Sequence, residues 1–74
     1  MYYRLKTHFY SVGLQAHFMR KQDIYVINRK DLYAYIGHMY LTSVYPIERI
    51  KYELIKPEDA NEIFNASEFL VKFE

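Results

Sequence analysis

Two stretches of alternating polar and apolar residues open the chain, and together they predict a β-hairpin. Across residues 3–9 the odd positions, among them Leu5 and Phe9, face one side, and the basic and polar even positions face the other. The alternation resumes after residues 11–14 with its phase reversed, so that Ala16 and Phe18 become the apolar positions. Because both strands agree on which face is buried, the pattern favours two paired strands.

The predicted register of this hairpin places Phe9 opposite Ala16 and His8 opposite His17. Val-Gly makes a poor two-residue primed turn, so we expect a longer loop with Gly13 at positive φ. The alternative is a helix over residues 11–22, which would approach the ferredoxin-like βαββαβ order. A glycine in the first turn weighs against that helix.

A second hairpin is predicted over residues 23–36, where two apolar runs flank a polar loop at residues 28–31. Pairing Ile27 with Leu32 places Tyr33 and Tyr35 on one face of the sheet, together with aliphatic side chains of the first strand. A strand that is apolar on both faces belongs inside a sheet that is covered on at least one side. We therefore expect the rest of the chain to be arranged around this hairpin.

A helix competes for part of the same stretch, with Asp31 as its N-cap. Its apolar residues recur at helical spacing, and they are Leu32, Tyr35, Ile36, Met39 and Tyr40. Against the helix stand several tyrosines, which favour strands, and Gly37, which costs about 1 kcal/mol relative to Ala in a helix interior. The strand is therefore the preferred interpretation, with Gly37 at a bulge.

The second half of the chain predicts a loop at residues 42–46 and a strand over residues 47–55, with Ile50, Tyr52 and Leu54 facing inward. Pro57, followed by two acids, is typical of a helix start. This helix would end near Ser67, with an inner stripe of Ala60, Ile63 and Phe64, and a last strand would cover residues 69–73. The expected fold is one α+β domain over residues 1–74, mostly antiparallel, in which about six short strands form a small SH3-like barrel or a curled meander, with one short helix near the C-terminus.

The composition of the chain indicates the cellular compartment in which the protein is expected. The chain has 74 residues, no cysteine and a formal net charge of +1, and no apolar run approaches the ~20 residues that span a bilayer. Its first residues carry too many charges for a signal peptide. We therefore expect a soluble, intracellular (cytoplasmic) protein without disulfides or membrane contact. Basic residues dominate up to Pro46 and acidic residues dominate after it.

The residues that usually carry catalysis are poorly represented, and the sequence predicts no enzyme and no cofactor. Without cysteine, and with serines that have turn or capping roles, no nucleophilic triad is indicated. His8 and His17, if directly opposed, could face one metal ion, but His38 or a carboxylate would have to complete the site. Two imidazoles alone do not define a metal centre.

Tyrosine is the compositional anomaly, with nine residues in the chain. Tyrosine offers a large, rigid contact area with a polar tip, and binding surfaces are rich in it. The chain has more aromatic surface than one small core can bury. The candidate partner-binding residues combine these aromatic side chains with Met39, two histidines and nearby cations, and they are Tyr33, Tyr35, Met39, Tyr40, Tyr45, His8, His17, Lys21, Arg29 and Lys30.

Two functions from different classes fit that surface. The first is a protein-binding module, acting as an inhibitor, an adaptor or a self-assembling subunit, with tyrosines as anchors and charges at the rim. The second is a nucleic-acid binder, in which tyrosines stack on bases and cations follow the phosphates. The cations of that hypothesis are Arg4, Lys6, Arg20, Lys21, Arg29 and Lys30. The low net charge favours the first function, since nucleic-acid-binding domains are usually more basic.

Overall fold

A computed structural model describes residues 1–71 and shows an open four-stranded sheet with helices packed against one face. The strand order is β3-β1-β2-β4, antiparallel except that β4 runs parallel to β2. The elements in chain order are β1 (Tyr2–Ser11), β2 (Ala16–Tyr25), α1 (Arg29–Thr42), β3 (Ile47–Ile55), a 3₁₀ turn (Pro57–Asp59), β4 (Ile63–Asn65) and α2 (Ala66–Val71). The α+β, mostly antiparallel class is as predicted. The closed six-stranded barrel is wrong, because the described chain forms four strands and the two end strands do not pair with each other.

The first hairpin is confirmed, but its register differs from the prediction by two residues, so that Phe9 lies opposite Phe18. The cause is a four-residue turn that Gln15 closes by donating its backbone N–H to the carbonyl of Val12 at 3.2 Å. Gln15 adopts the positive φ of 50° that was expected of Gly13. A shift of two residues keeps each side chain on the same face of the sheet, so the predicted assignment of side chains to the two faces is unchanged.

β2 continues without interruption to Tyr25, and the alternative helix over residues 11–22 is wrong. The strand remains regular because each of its residues pairs with one on β1, from Ala16 opposite Ser11 to Tyr25 opposite Tyr2. With a strand in place of that helix, the ferredoxin-like order does not occur.

The predicted second hairpin is wrong, and the chain forms the alternative helix instead. Asn28, rather than Asp31, caps α1 by accepting a hydrogen bond from the Asp31 backbone N–H at 3.0 Å. Leu32 and Tyr35 then become fully or nearly buried against the sheet. This burial outweighs the unfavourable propensity of Gly37, which lies in the helix interior and not at a bulge.

The loop before β3 and the β3 strand itself are confirmed, whereas the predictions beyond Ile55 are mostly wrong. Pro57 begins only one 3₁₀ turn, and residues 63–65 are extended as β4 where the inner stripe of a helix was predicted. Residues 66–71 are helical where a strand was expected to begin, because the Asn65 side chain accepts a hydrogen bond from the Glu68 backbone N–H at 3.2 Å. The rest of that predicted strand lies outside the described residues.

The core lies between the sheet and the two helices. β1, the end of β2 and the residue that follows it form one side of the core, and the two helices form the other. The central residues are Tyr3, Leu5, Ile24, Val26, Leu32, Tyr35 and Ala66. Ser67 ties α2 to the start of α1 by accepting from the Ile27 backbone N–H and donating to the Asp31 carboxylate. No described helix covers the opposite face of the sheet, which is called the open face below.

Candidate functional site

Three lysines form a row across the open face. Lys6 on β1 lies directly opposite Lys21 on β2 and directly opposite Lys51 on β3. Directly opposed residues of an antiparallel ladder have Cα atoms about 5 Å apart. None of the three lysines forms an ion pair with a carboxylate of residues 1–71. The centre of the sheet therefore carries three adjacent ammonium groups, none of which is in an ion pair with the described residues.

The next position along the open face adds further positive charge. His8 lies opposite Arg49, directly beside the lysine row. Partial burial lowers the pKa of the His8 imidazole, and the positive charges of Arg49, Lys51 and Lys6 lower it further, against an opposing effect of Glu48. A lowered histidine pKa is the expected response to a positive potential. We call these five side chains, Lys6, His8, Lys21, Arg49 and Lys51, the open basic face.

Acidic side chains on this side of the sheet are held by other groups. Asp23 is buried and accepts two hydrogen bonds from Arg4, at 2.9 and 3.1 Å, and one from the Asn61 backbone N–H at 2.9 Å. Hydrogen bonding to Arg4 lowers the pKa of the Asp23 carboxyl. Arg4 also lies opposite Glu53 in the ladder with β3. Arg4 therefore faces both carboxylates of its row, and the lysine row receives neither.

The segment between β3 and β4 crosses the open face at the level of Arg4. The Arg4 guanidinium donates to the Asp59 carbonyl at 2.9 Å, which together with the bond from Asn61 to Asp23 fixes this crossing. These bonds hold the chain extended and explain why no helix continues after Pro57. Beside the crossing, at the edge of β2, lies a cavity of about 510 Å³ whose lining includes Arg20, Lys21 and Glu62.

Aromatic side chains lie at the turn end of the open face. Tyr10 lies opposite His17, with ring centroids 4.9 Å apart, and His17 Nδ1 is 2.6 Å from Glu48 Oε1. Met19 is exposed next to them, opposite His8. Aromatic rings thus lie four residues beyond the lysine row along β1, a distance of about 13 Å.

The predicted partner-binding residues divide among three places. His8, His17 and Lys21 share the open face. Arg29 and Lys30 begin α1, where the Tyr3 hydroxyl raises the pKa of the Arg29 guanidinium. These cations are thus separated from the lysine row by the sheet.

The tyrosines and Met39 lie on the helix side. Tyr35 is only 7% exposed and its hydroxyl accepts a hydrogen bond from Gln22, so the prediction that it projects from an exposed sheet face is wrong. Tyr33 does not lie on a sheet face either, but it is half-exposed on α1, as is Tyr40. Tyr45 lies in the loop before β3 and packs its ring against Phe18 at 5.4 Å.

A groove of about 400 Å³ separates that loop from β2, and Tyr35, Met39 and Tyr45 contribute to its lining. Three of the predicted residues thus meet at one groove, although they were expected on strands. Phe18, which was predicted to be core, remains 39% exposed near this groove and stacks on Phe9 at 4.9 Å between ring centroids.

Sequence reasoning missed the contribution of β3 to the open basic face. Arg49 and Lys51 were placed on the outward side of a strand, and Lys6 on the outward side of another. The alternation thus indicated the correct face for each residue. Only the strand order, with β1 between β2 and β3, brings the three lysines into one row.

Other kinds of site find little support in residues 1–71. His8 and His17 are not opposed, because His8 faces Met19 and His17 faces Tyr10. No group of three potential metal-ligating side chains occurs in the described part of the chain. None of the described helices combines the length and the hydropathy that crossing a bilayer requires.

Comparison of the chain with protein-family models, with curated proteins and with solved structures found no match.

Proposed function

We propose that the protein is a non-enzymatic binding module whose open basic face binds single-stranded nucleic acid. The observation that carries this proposal is the row of Lys21, Lys6 and Lys51 across three adjacent strands. Like charges directly opposite each other destabilise a sheet. A ligand with a chain of phosphates would remove this repulsion and gain one contact from each ammonium group.

The arrangement of charges over the molecule supports the same ligand. The net charge of the chain is only +1. Asp23 and Glu53 both lie opposite Arg4, however, and not opposite a lysine of the row. A low total charge makes long-range attraction weak, while the local potential remains positive. Partial burial is the main cause of the lowered pKa of His8, and the positive charges of Arg49, Lys51 and Lys6 lower it further.

Tyr10 and His17 suit the bases of the same ligand. Aromatic side chains on a sheet face can stack on unpaired bases, which contributes about 1 to 3 kcal/mol per base. Lys6, His8 and Tyr10 follow each other along β1 at steps of about 6.7 Å, since alternate residues share a face. A single strand laid along β1 would cross the lysine row, placing a phosphate among the three ammonium groups and bases over the ring pair.

The width of the surface favours a single strand over a duplex. The major groove of B-DNA is about 12 Å wide and admits a helix or a two-stranded ribbon. A face of three to four strands, spaced about 4.8 Å apart, is too broad to enter it. We expect little sequence preference, and dissociation constants in the range of about 1 to 100 µM that is typical of non-specific binding.

The proposal is tested by fluorescence anisotropy with a labelled oligothymidylate. At about 50 mM salt, wild type should bind. Each phosphate contact contributes about 0.7 to the slope of log affinity against log salt concentration for single strands, so that one contact is worth roughly eightfold in affinity at about 50 mM salt relative to 1 M. Lys6→Gln, which removes one contact, should therefore bind roughly eightfold more weakly. Lys30→Gln is the matched control, since it removes the same charge from the other side of the molecule. Equal losses in both variants, or no binding by wild type, would contradict the proposal.

A second candidate is the protein-binding module, acting as an inhibitor, an adaptor or a self-assembling subunit. It is favoured by the groove to which Tyr35, Met39 and Tyr45 contribute. A partner protein that inserts an aliphatic or aromatic side chain would cover the exposed rings of Tyr45 and Phe18 there.

The test of this second candidate compares partner capture by Tyr45→Ala and Tyr40→Ala. Both tyrosines are half-exposed, but only Tyr45 lines the groove. Loss of a captured protein with Tyr45→Ala and its retention with Tyr40→Ala would support this function. Equal capture by both variants would contradict it.

A further inference from the structure

β3 leaves one of its edges without a neighbour among residues 1–71. It spans nine residues and pairs with β1 along its other edge only. A long edge strand presents backbone N–H and C=O groups that can pair with another strand. On the helix side of this edge, Tyr52 is 46% exposed and Leu54 is 64% exposed, and the half-exposed Tyr33 ring lies 6.1 Å from that of Tyr52. Within residues 1–71 this edge is therefore unpaired, and it is apolar on its helix side.

We propose that this edge binds a second copy of the same chain, antiparallel, about a two-fold axis at Tyr52. The register of the two edge strands determines this contact, which does not depend on the proposed nucleic-acid binding. In an isologous contact each residue meets a fixed counterpart on the other copy, so one choice of axis fixes every pair. When the axis is perpendicular to the sheet, it must lie midway between the two copies of one residue, because only then do directly opposed side chains share a face.

Charge disfavours the neighbouring registers. An axis at Lys51 would set that ammonium group against its own copy, although it would also set Arg49 against Glu53 twice. An axis at Glu53 would set two carboxylates against each other. An axis at Ile50 would set Arg49 against Lys51 twice. Like charges in direct opposition destabilise a ladder. Each of these three registers therefore contains at least one repulsive pair.

The register with Tyr52 on the axis contains attractive and apolar pairs instead. Lys51 of each copy meets Glu53 of the other on the open face, and Ile50 meets Leu54 on the helix side. Tyr52 meets its own copy beside Tyr33, where aromatic pairing adds to burial. The result is a continuous eight-stranded sheet that covers the apolar edge and presents the open basic faces of both copies on one surface.

A single-cysteine experiment tests the axis directly, because the chain has no cysteine of its own. In the proposed dimer, the two Tyr52 Cα atoms lie about 5 Å apart, within the range that a disulfide can bridge. Tyr52→Cys should therefore form a covalent dimer on mild oxidation at low protein concentration. Leu54→Cys is the matched control, since its two copies would be about 13 Å apart along the strands.

Cross-linking that is equal at positions 52 and 54, or that is more efficient for Lys51→Cys than for Tyr52→Cys, would overturn the proposed axis. Circular dichroism of each reduced variant establishes that the cysteine has not changed the fold. Wild type that sediments as a monomer at every accessible concentration would overturn the dimer itself.

A charge-reversal cycle tests the register without cysteine. Lys51→Glu and Glu53→Lys should each weaken association by about tenfold, because two opposed pairs change from attractive to repulsive. The double variant restores both attractive pairs and should recover wild-type association, measured by sedimentation equilibrium. Failure of the double variant to recover, with an unchanged circular dichroism spectrum, would overturn the Lys51–Glu53 pairing.

Discussion

Lys6 lies directly opposite Lys21 in the ladder between the first two strands, and no described carboxylate forms an ion pair with either side chain. One row away, Arg4 lies opposite Asp23 and binds it with two hydrogen bonds. The Arg4–Asp23 row thus stabilises the pairing of the two strands, whereas the Lys6–Lys21 row destabilises it. A destabilising row at the centre of a small domain is expected where the side chains serve a ligand.

Replacing Lys6 with Gln should therefore raise stability while weakening ligand binding. Removing the central charge eliminates two like-charge contacts, and we expect about 0.5 to 1 kcal/mol of added unfolding free energy at low salt. The gain should shrink as salt screens the row. Urea unfolding of Lys6→Gln measures it, with Lys30→Gln as a control that should change stability by no more than about 0.5 kcal/mol. A loss of stability in Lys6→Gln would mean that the lysine supports the fold.

The His8 imidazole should report the potential of the open basic face. Its pKa is lowered from the ordinary value of 6.5 by partial burial and by the nearby cations, Arg49 first among them. The unfolded chain therefore takes up this proton more readily, so the His8 contribution to stability should be lost as pH falls through 6.5. Arg49→Gln should raise the pKa of His8, and so should bound oligothymidylate. An NMR titration of the His8 ring, assigned with His8→Gln, measures these changes, and an unmoved pKa in both cases would contradict this description.

Asp23 should contribute strongly to stability at neutral pH. Its carboxylate is buried and accepts from both Arg4 and the Asn61 backbone, so Asp23→Ala should cost about 2 to 3 kcal/mol. Because the bond to Arg4 lowers the pKa of Asp23 below its usual 3.8, this contribution is complete above that value and is lost as pH falls through the folded pKa. Unfolding measured near pH 7 and pH 3 should show the gap between wild type and Asp23→Ala narrowing in acid. Glu58→Ala, an exposed acid, serves as the control.

Gly37 offers a test of the helix that replaced the predicted hairpin. It is exposed in the interior of α1, and an added Cβ would meet nothing within 4 Å apart from its chain neighbours and the nearby helix backbone. Gly37→Ala should therefore raise the unfolding free energy by about 0.5 to 1 kcal/mol. Thermal unfolding should then show a melting temperature higher by roughly 3 to 8 °C for a domain of this size. A lower melting temperature would indicate that the residue is not in a helix.

Alternation predicted the faces of the strands well, because successive residues of a strand point to opposite sides, and burial follows that period along β1. On β3, Tyr52 and Leu54 lie on the predicted side of the strand but remain exposed. Lys6 and Lys51 were both assigned to the correct outward side. The strand order was not accessible, since it depends on tertiary contacts that bring β3 against β1 rather than β2. The three-lysine row follows from that order, so no pattern within one strand could have revealed it.

The largest error concerned residues 28–42, where strand-favouring tyrosines outweighed the helical spacing of Leu32 and Tyr35. Secondary-structure propensity is a weak guide when one face of an element becomes buried. Asn28 was assigned to a loop, although as an N-cap it is also a local signal for the start of a helix. The short strand β4 was missed for a different reason. Its path is fixed by Arg4 and Asp23, which are distant in sequence.

An NMR titration of isotopically labelled protein with oligothymidylate at about 50 mM salt shows whether the open basic face binds single-stranded nucleic acid, because it locates the bound ligand on the protein. We expect amide shifts concentrated on the strands that carry Lys6, His8, Lys21 and Lys51, while the groove around Tyr45 stays unchanged. The claim would be contradicted by shifts centred on that groove, or by a spectrum that does not change at millimolar oligothymidylate.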